Sequence, residues 1–152
     1  MMIYDQIVFP DIIYIHIMHL TELLHKTFEE QLPHIHKIRL KNLMEVSEVA
    51  ITNNQLYLTA LGRAFLNDNK ECSNIKKVDR LLGNGRLQAE RNYFYKIMMS
   101  HVVKDQSQIW VHIDWTCINS LTNLYALRAS ISMPGRSLVI YEECHPKKRE
   151  NN

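Results

Sequence analysis

The sequence changes its period near residue 104, and that change decides most of what the chain can fold into. From His19 to about residue 100, apolar residues recur every three or four positions. After the polar break Lys104–Gln108 they come instead as β-branched and aromatic runs, at 109–115, 124–132 and 137–142. The first pattern is that of helices with one buried face, the second that of strands. Helices first and strands second describe an α+β chain with the two classes of element segregated along the sequence.

Within the helical part, Leu20, Leu23, Leu24 and Phe28 mark a first helix that Pro33 ends. Ile35, Ile38, Leu43, Val46 and Val49 mark a second, stopping near Thr52-Asn53-Asn54. Thr59 can cap a third, LTALGRAFL, with Leu61, Ala64 and Phe65 on one face. Ser73 or Asn74 can cap a fourth, whose stripe is Ile75, Val78, Leu81 and Leu82. Gly83-Asn84-Gly85 is read as a positive-φ stop, and a fifth helix follows from about Leu87 to His101. Residues before His19 read as irregular and strand-like. The three later runs are joined by a loop at Asn119-Ser120 and a turn at Met133-Pro134-Gly135-Arg136. Connections this short predict an antiparallel meander. With no helix to cover it, the meander is an incomplete layer, as if cut from a larger fold.

At 152 residues, 46% hydrophobic and 22% charged, the chain has the composition of a soluble globular protein. The opening segment MMIYDQIVFPDIIYIHIM is broken by Asp5, Pro10, Asp11 and His16, which makes it a poor signal peptide and too interrupted a span for a bilayer. Cys72, Cys117 and Cys144 are odd in number and far apart, which argues against a disulfide framework and for a reducing cytoplasm. The histidines are scattered, and His34 and His36 have no second pair at metal-ligand spacing.

Charge is unevenly distributed. Residues 35–96 carry eleven Lys/Arg against six Asp/Glu, an excess of +5 within a total of only +2. Arg63, Lys76, Lys77, Arg80, Arg86 and Arg91 are the candidate contacts to an anionic partner, compatible with DNA phosphates. A solvated basic face on an ordinary helical bundle is the alternative reading of the same residues. Tyr93, Phe94 and Tyr95 suit core packing better than base stacking.

Asp114 is the other conspicuous residue. It stands near the end of the run IWVHIDWTCIN, where a carboxylate is unusual. Either it ends the strand and caps a turn, or it is mounted at the strand's carboxyl end to hold a metal ion.

The blocks LTALGR (58–63), NIKKVDRLLGN (74–84), IWVHIDWT (109–116), LYALRASI (124–131) and GRSLVIYEE (135–143) occur in an order and spacing that resembles the amino-terminal part of DDE transposases of the "insertion sequence four" family. The resemblance covers roughly residues 18–146. It implies a helical domain (18–103) that binds double-stranded DNA at the transposon's terminal inverted repeats. The start of an RNase H-like domain (104–146) follows, represented by its first three antiparallel strands, and then a disordered tail (147–152). Residues 1–17 are expected to be an upstream extension, because the likeness begins near Met18.

By the same resemblance, Asp114 in HIDWT matches the family's first catalytic carboxylate, a ligand for Mg²⁺ in the pattern apolar–Asp–Trp–Ser/Thr. Two such ions flanking a phosphodiester activate the nucleophile and stabilise the leaving oxygen. The second aspartate and the glutamate of that triad have no counterpart among the 38 residues after Asp114; Glu142 and Glu143 follow too closely. The expectation is a cytoplasmic chain that binds transposon ends without cutting them, as a truncated or split transposase. A noncatalytic repressor of transposition and an inactive remnant are the alternatives. Self-association, or association with a product of a second reading frame, is the expected protein partnership.

Overall fold

The structure, a computed structural model, describes residues 10–53, 55–103, 108–133 and 135–146, with side chains from Met18 onward. Residues 1–9 of the expected upstream extension lie outside the described residues. So do the expected tail 147–152, most of the polar break and Pro134 of the last turn. Five helices precede a three-stranded antiparallel sheet: α1 Pro10–Gln31, α2 Lys37–Thr52, α3 Leu58–Arg63, α4 Glu71–Leu82, α5 Gly85–Val103, then β1 Val111–Asn119, β2 Leu124–Met133 and β3 Arg136–Pro146. The chain is thus α+β, as its change of period predicts.

Contacts divide it into two units, residues 1–90 and 91–152, with the division falling inside α5. In the first unit α2 is the organising element, touching α1, α3 and α4. Phe28, Leu32, Ile35, Leu40 and Met44 are buried. A second cluster joins Val46 and Val49 of α2 to Leu61 of α3 and to Val78 and Leu81 of α4, with Leu43, Leu58, Phe65 and Leu87 packed around it. Val78 is fully enclosed. Helices α3 and α4 meet at Gly62, where an added Cβ would lie 2.4 Å from Ile75 Cγ1 and 2.6 Å from Ile75 Cα. No side chain fits there, so the glycine is what lets the two helices touch.

Several local expectations are corrected. The strand-like segment before His19 is helical from Pro10. Proline is tolerated in a first turn, where its missing N–H costs nothing, and β-branched residues lower helix propensity only slightly. Leu20, Leu23, Ile38 and Leu82 are exposed, although they fall on helical spacing; Thr21 is buried where Leu20 was expected. Helix α3 starts after Tyr57 and α4 after Lys70, neither with a side-chain cap. Thr59 and Ser73 are therefore inside their helices. Asn74 is buried within α4, where its Nδ2 donates to Asn67 Oδ1 at 3.0 Å and pins the preceding loop.

The turn after α4 does not use positive φ either: Gly83 has φ −80°, and among the described residues only Asn123 and Gly135 are left-handed. Asn84 makes the turn by capping α5, its Oδ1 accepting from the backbone N–H groups of Arg86 and Leu87 at 3.1 Å each.

In the second unit the strand order is β1-β2-β3, with β1 antiparallel to β2 and β2 to β3. This is the expected meander, but its first strand runs on to Asn119 and, among the described residues, lies at an edge. β2 holds the sheet's most buried positions, Ala126 and Ile131. Trp115 stacks at 6.1 Å on Tyr125 and at 6.0 Å on His145, spanning all three strands. Tyr95 of α5 meets Tyr141 of β3 at 6.4 Å between ring centres.

Gly62→Ala is expected to destabilise the helical unit by about 2 kcal/mol, the typical cost of forcing atoms into a filled interface. Asn84→Ala should cost about 1 kcal/mol by removing the cap. Denaturant unfolding followed by far-ultraviolet circular dichroism measures both.

Candidate nucleic-acid interface

Three of the six basic residues singled out in the sequence come together. Lys77 and Arg80 of α4 and Arg86 of α5 line one cleft of about 410 Å³, with His36, Arg39 and Asn42 from the start of α2 on its other side. A second groove, of about 640 Å³, shares His36, Ile38, Arg39 and Arg86 with the first and adds His34, Lys37 and Glu90. Among the described residues the first cleft has no acidic side chain in its lining.

Two helices begin at this surface. α2 opens Lys37-Ile38-Arg39 and α5 opens Gly85-Arg86, and neither has an acidic residue in its first turn. A helix start carries partial positive charge from its unpaired N–H groups and ordinarily attracts Asp or Glu. Cations placed there add to the field rather than cancel it, which suits an anion.

The cations are not equivalent. Arg39 of α2 forms an ion pair with Glu90 of α5, both side chains largely shielded, at 11% and 18% exposure. Lys77 pairs with Glu45 of α2, and its ammonium lies 5.3 Å from the centre of the Phe65 ring. These two tie helices together. Arg80 and Arg86 are exposed and form no ion pair among the described residues, so they are the cleft's uncompensated charges.

The remaining three lie elsewhere. Arg63 is paired with Glu71, Nε to Oε1 at 2.7 Å, on the exposed end of α3. Lys76 is exposed on α4 and does not line the cleft. Arg91 belongs to the second unit, with its Nε buried and without a hydrogen-bond partner. Arg39 and His36 do not stand out in the sequence, because Arg39 sits among the apolar residues of α2. The available signal was the run of cations at a helix start that lacks an acid.

Asp114 is the fourth residue of β1, exposed, in mid-strand rather than at its carboxyl end. The Thr116 hydroxyl donates to its carboxylate. Directly opposite on β2 is Arg128, and opposite that on β3 is Glu142, which pairs with the Arg128 guanidinium. The row is therefore carboxylate, guanidinium, carboxylate on one face of the sheet. Mg²⁺ needs several oxygen ligands around one point. A single carboxylate beside a guanidinium does not supply them, and no group of three His, Cys, Asp or Glu suited to a metal occurs among the described residues.

On the other face, the Tyr141 hydroxyl donates to Glu143, and this bond, with lesser help from His145 and Arg91, holds the Glu143 carboxyl below its ordinary range. The same bond raises the Tyr141 phenol.

Among the described residues no helix is long and apolar enough to cross a membrane. Comparison of the chain with protein-family models, with curated proteins and with solved structures finds no match.

A depressed carboxylate stabilises the fold above its unfolded pKa and loses that contribution as pH falls through the folded value. The sheet should therefore weaken on acidification below about pH 4.3, and Glu143→Gln should flatten that acid limb, read by tryptophan emission against pH. Glu90→Gln should lower the stability of the helical unit by about 3 kcal/mol, because it leaves Arg39 shielded and unpaired. Thermal unfolding tests it.

Proposed function

We propose that this chain is the DNA-end-binding portion of a DDE transposase of the "insertion sequence four" type, and that on its own it binds the terminal inverted repeats in the cytoplasm without cutting them. One observation carries the reading: two uncompensated guanidiniums, Arg80 and Arg86, share a cleft with two helix starts that carry cations and no acid. Phosphate oxygens are the natural complement of that surface. They accept bidentate hydrogen bonds from guanidinium and single ones from backbone N–H groups. Such contacts fix register along a duplex and would leave sequence to be read by neighbouring side chains.

The resemblance supplies the remainder of the proposal. Asp114, followed by Trp115 and Thr116, would be the first of the family's three carboxylates, and Mg²⁺ the cofactor of the complete enzyme. The residues around Asp114 do not by themselves complete a metal site, so no cleavage step is assigned to this chain. Occupying the ends without cleaving them would make it a repressor of transposition. Binding that survives without the catalytic set is what that role requires.

A gel-shift titration of the whole chain against the element's terminal repeats and a scrambled duplex is the test. Arg80→Ala/Arg86→Ala should weaken binding about tenfold or more and lower the slope of log K against log salt by about 2, since each guanidinium that no longer neutralises a phosphate releases about one counterion fewer. Arg63→Ala should change neither. Equal binding to repeats and scrambled DNA at moderate salt would end the proposal.

A further inference from the structure

Asn84 stands where α4 gives way to α5, between Arg80 and Arg86, and only half of its amide is used within the fold. Its Oδ1 accepts from the backbone N–H groups of Arg86 and Leu87, each at 3.1 Å. Those partners can only donate, so the atom facing them is the oxygen and the NH₂ group is turned from the helix start. Nδ2 has no acceptor among the described residues. Asn84 is nevertheless half-buried, in the lining of the cleft that it shares with Lys77, Arg80 and Arg86. Capping accounts for the oxygen and leaves the nitrogen without a role in the fold.

On the reading that this cleft holds duplex DNA, we infer that Asn84 Nδ2 donates to the same backbone phosphate that Arg80 and Arg86 hold, and that this neutral contact fixes where the phosphate sits. The non-bridging oxygens of a phosphodiester accept hydrogen bonds and have none to give. With Oδ1 committed to the cap, the Asn84 amide can only donate, and so it matches them. Asn42 and Ser73 also line the cleft, but a side chain that can both donate and accept does not distinguish a phosphate from a base edge.

Rigidity separates Asn84 from the two arginines. Hydrogen bonds to two successive N–H groups hold its side chain in one orientation. Arg80 and Arg86 are long and exposed, and ordering such side chains on binding costs entropy. The guanidiniums supply the charge that draws a phosphate into the cleft, and Asn84 supplies the fixed point against which it seats.

Capping and contact can be separated by experiment, because serine and aspartate cap a helix as well as asparagine does. The full chain and its variants are titrated by gel shift against the terminal repeats and a scrambled duplex, with denaturant unfolding alongside. Asn84→Ser should unfold at the native midpoint yet bind about tenfold more weakly, the worth of one hydrogen bond to a charged group. The loss should be equal on both duplexes, since a phosphate contact carries no sequence. The slope of log K against log salt should stay as in the native chain, because no charge is removed. Asn84→Asp sets a carboxylate against the phosphate and should bind more weakly still, while unfolding at or above the native midpoint.

An Asn84→Ser variant that binds as tightly as the native chain, while Arg80→Ala/Arg86→Ala does not, would overturn the inference and leave the DNA reading standing. A loss confined to the terminal repeats would overturn it too, by making Asn84 a base contact. Equal binding of the native chain to both duplexes would end the transposon-end reading, whereas a tenfold loss on both in Asn84→Ser would still support the phosphate contact. A native chain that binds neither duplex would end both.

Discussion

The helical unit rests on one steric permission, the close approach of α3 to α4 at Gly62. Because no side chain stands between that residue and Ile75, α4 lies deep enough for Val78 to be fully enclosed by α2 and α3. Once Val78 and Leu81 face inward, the helical period fixes where the rest of α4 points. Lys77 reaches Glu45 and the Phe65 ring, and Arg80 is left at the mouth of the cleft. The charged surface is in this sense the outer side of a packing decision made by a glycine.

Within the cleft, attachment and availability are divided between residues. Arg39 and Lys77 commit their charge to Glu90 and Glu45, and each of these pairs joins α2 to another helix. Partly shielded pairs of this kind contribute little net stability but are costly to break singly. Arg80 and Arg86 hold nothing together. The surface thus has cations that position and cations that can be given to a ligand, and the helix starts at Lys37 and Gly85 add their partial charges to the second group.

The order and kind of elements were legible because helical and strand periods are properties of short windows. Five helices, a meander and the stripe containing Val78 and Leu81 follow from spacing alone. The termini of the elements were harder. Thr59, Ser73 and Asn74 all have capping side chains, yet tertiary packing starts α3 and α4 earlier and uses Asn74 as a buried tie to Asn67. Gly83 and Gly85 looked like a left-handed stop, but the hydrogen-bonding capacity of Asn84 made one unnecessary. At the site, Lys77, Arg80 and Arg86 were found by counting charge. Arg39 was not, because its role depends on Glu90, 51 positions away. Asp114 was visible as an anomaly, whereas its neighbour Arg128 emerges only from strand register.

The stacking of Trp115 across the sheet also divides the chain's fluorescence in two. There are two tryptophans, and they differ in exposure, Trp115 being half-buried. Trp110 is open to water, while the indole Nε1 of Trp115 is shielded and has no hydrogen-bond acceptor among the described residues. An indole partly shielded from water emits further to the blue and is quenched less by aqueous quenchers than one that is open to it. Each half of the emission band therefore reports a separate place on the sheet. The blue half follows the three-stranded stack of Trp115, Tyr125 and His145, and the red half follows the entry to β1.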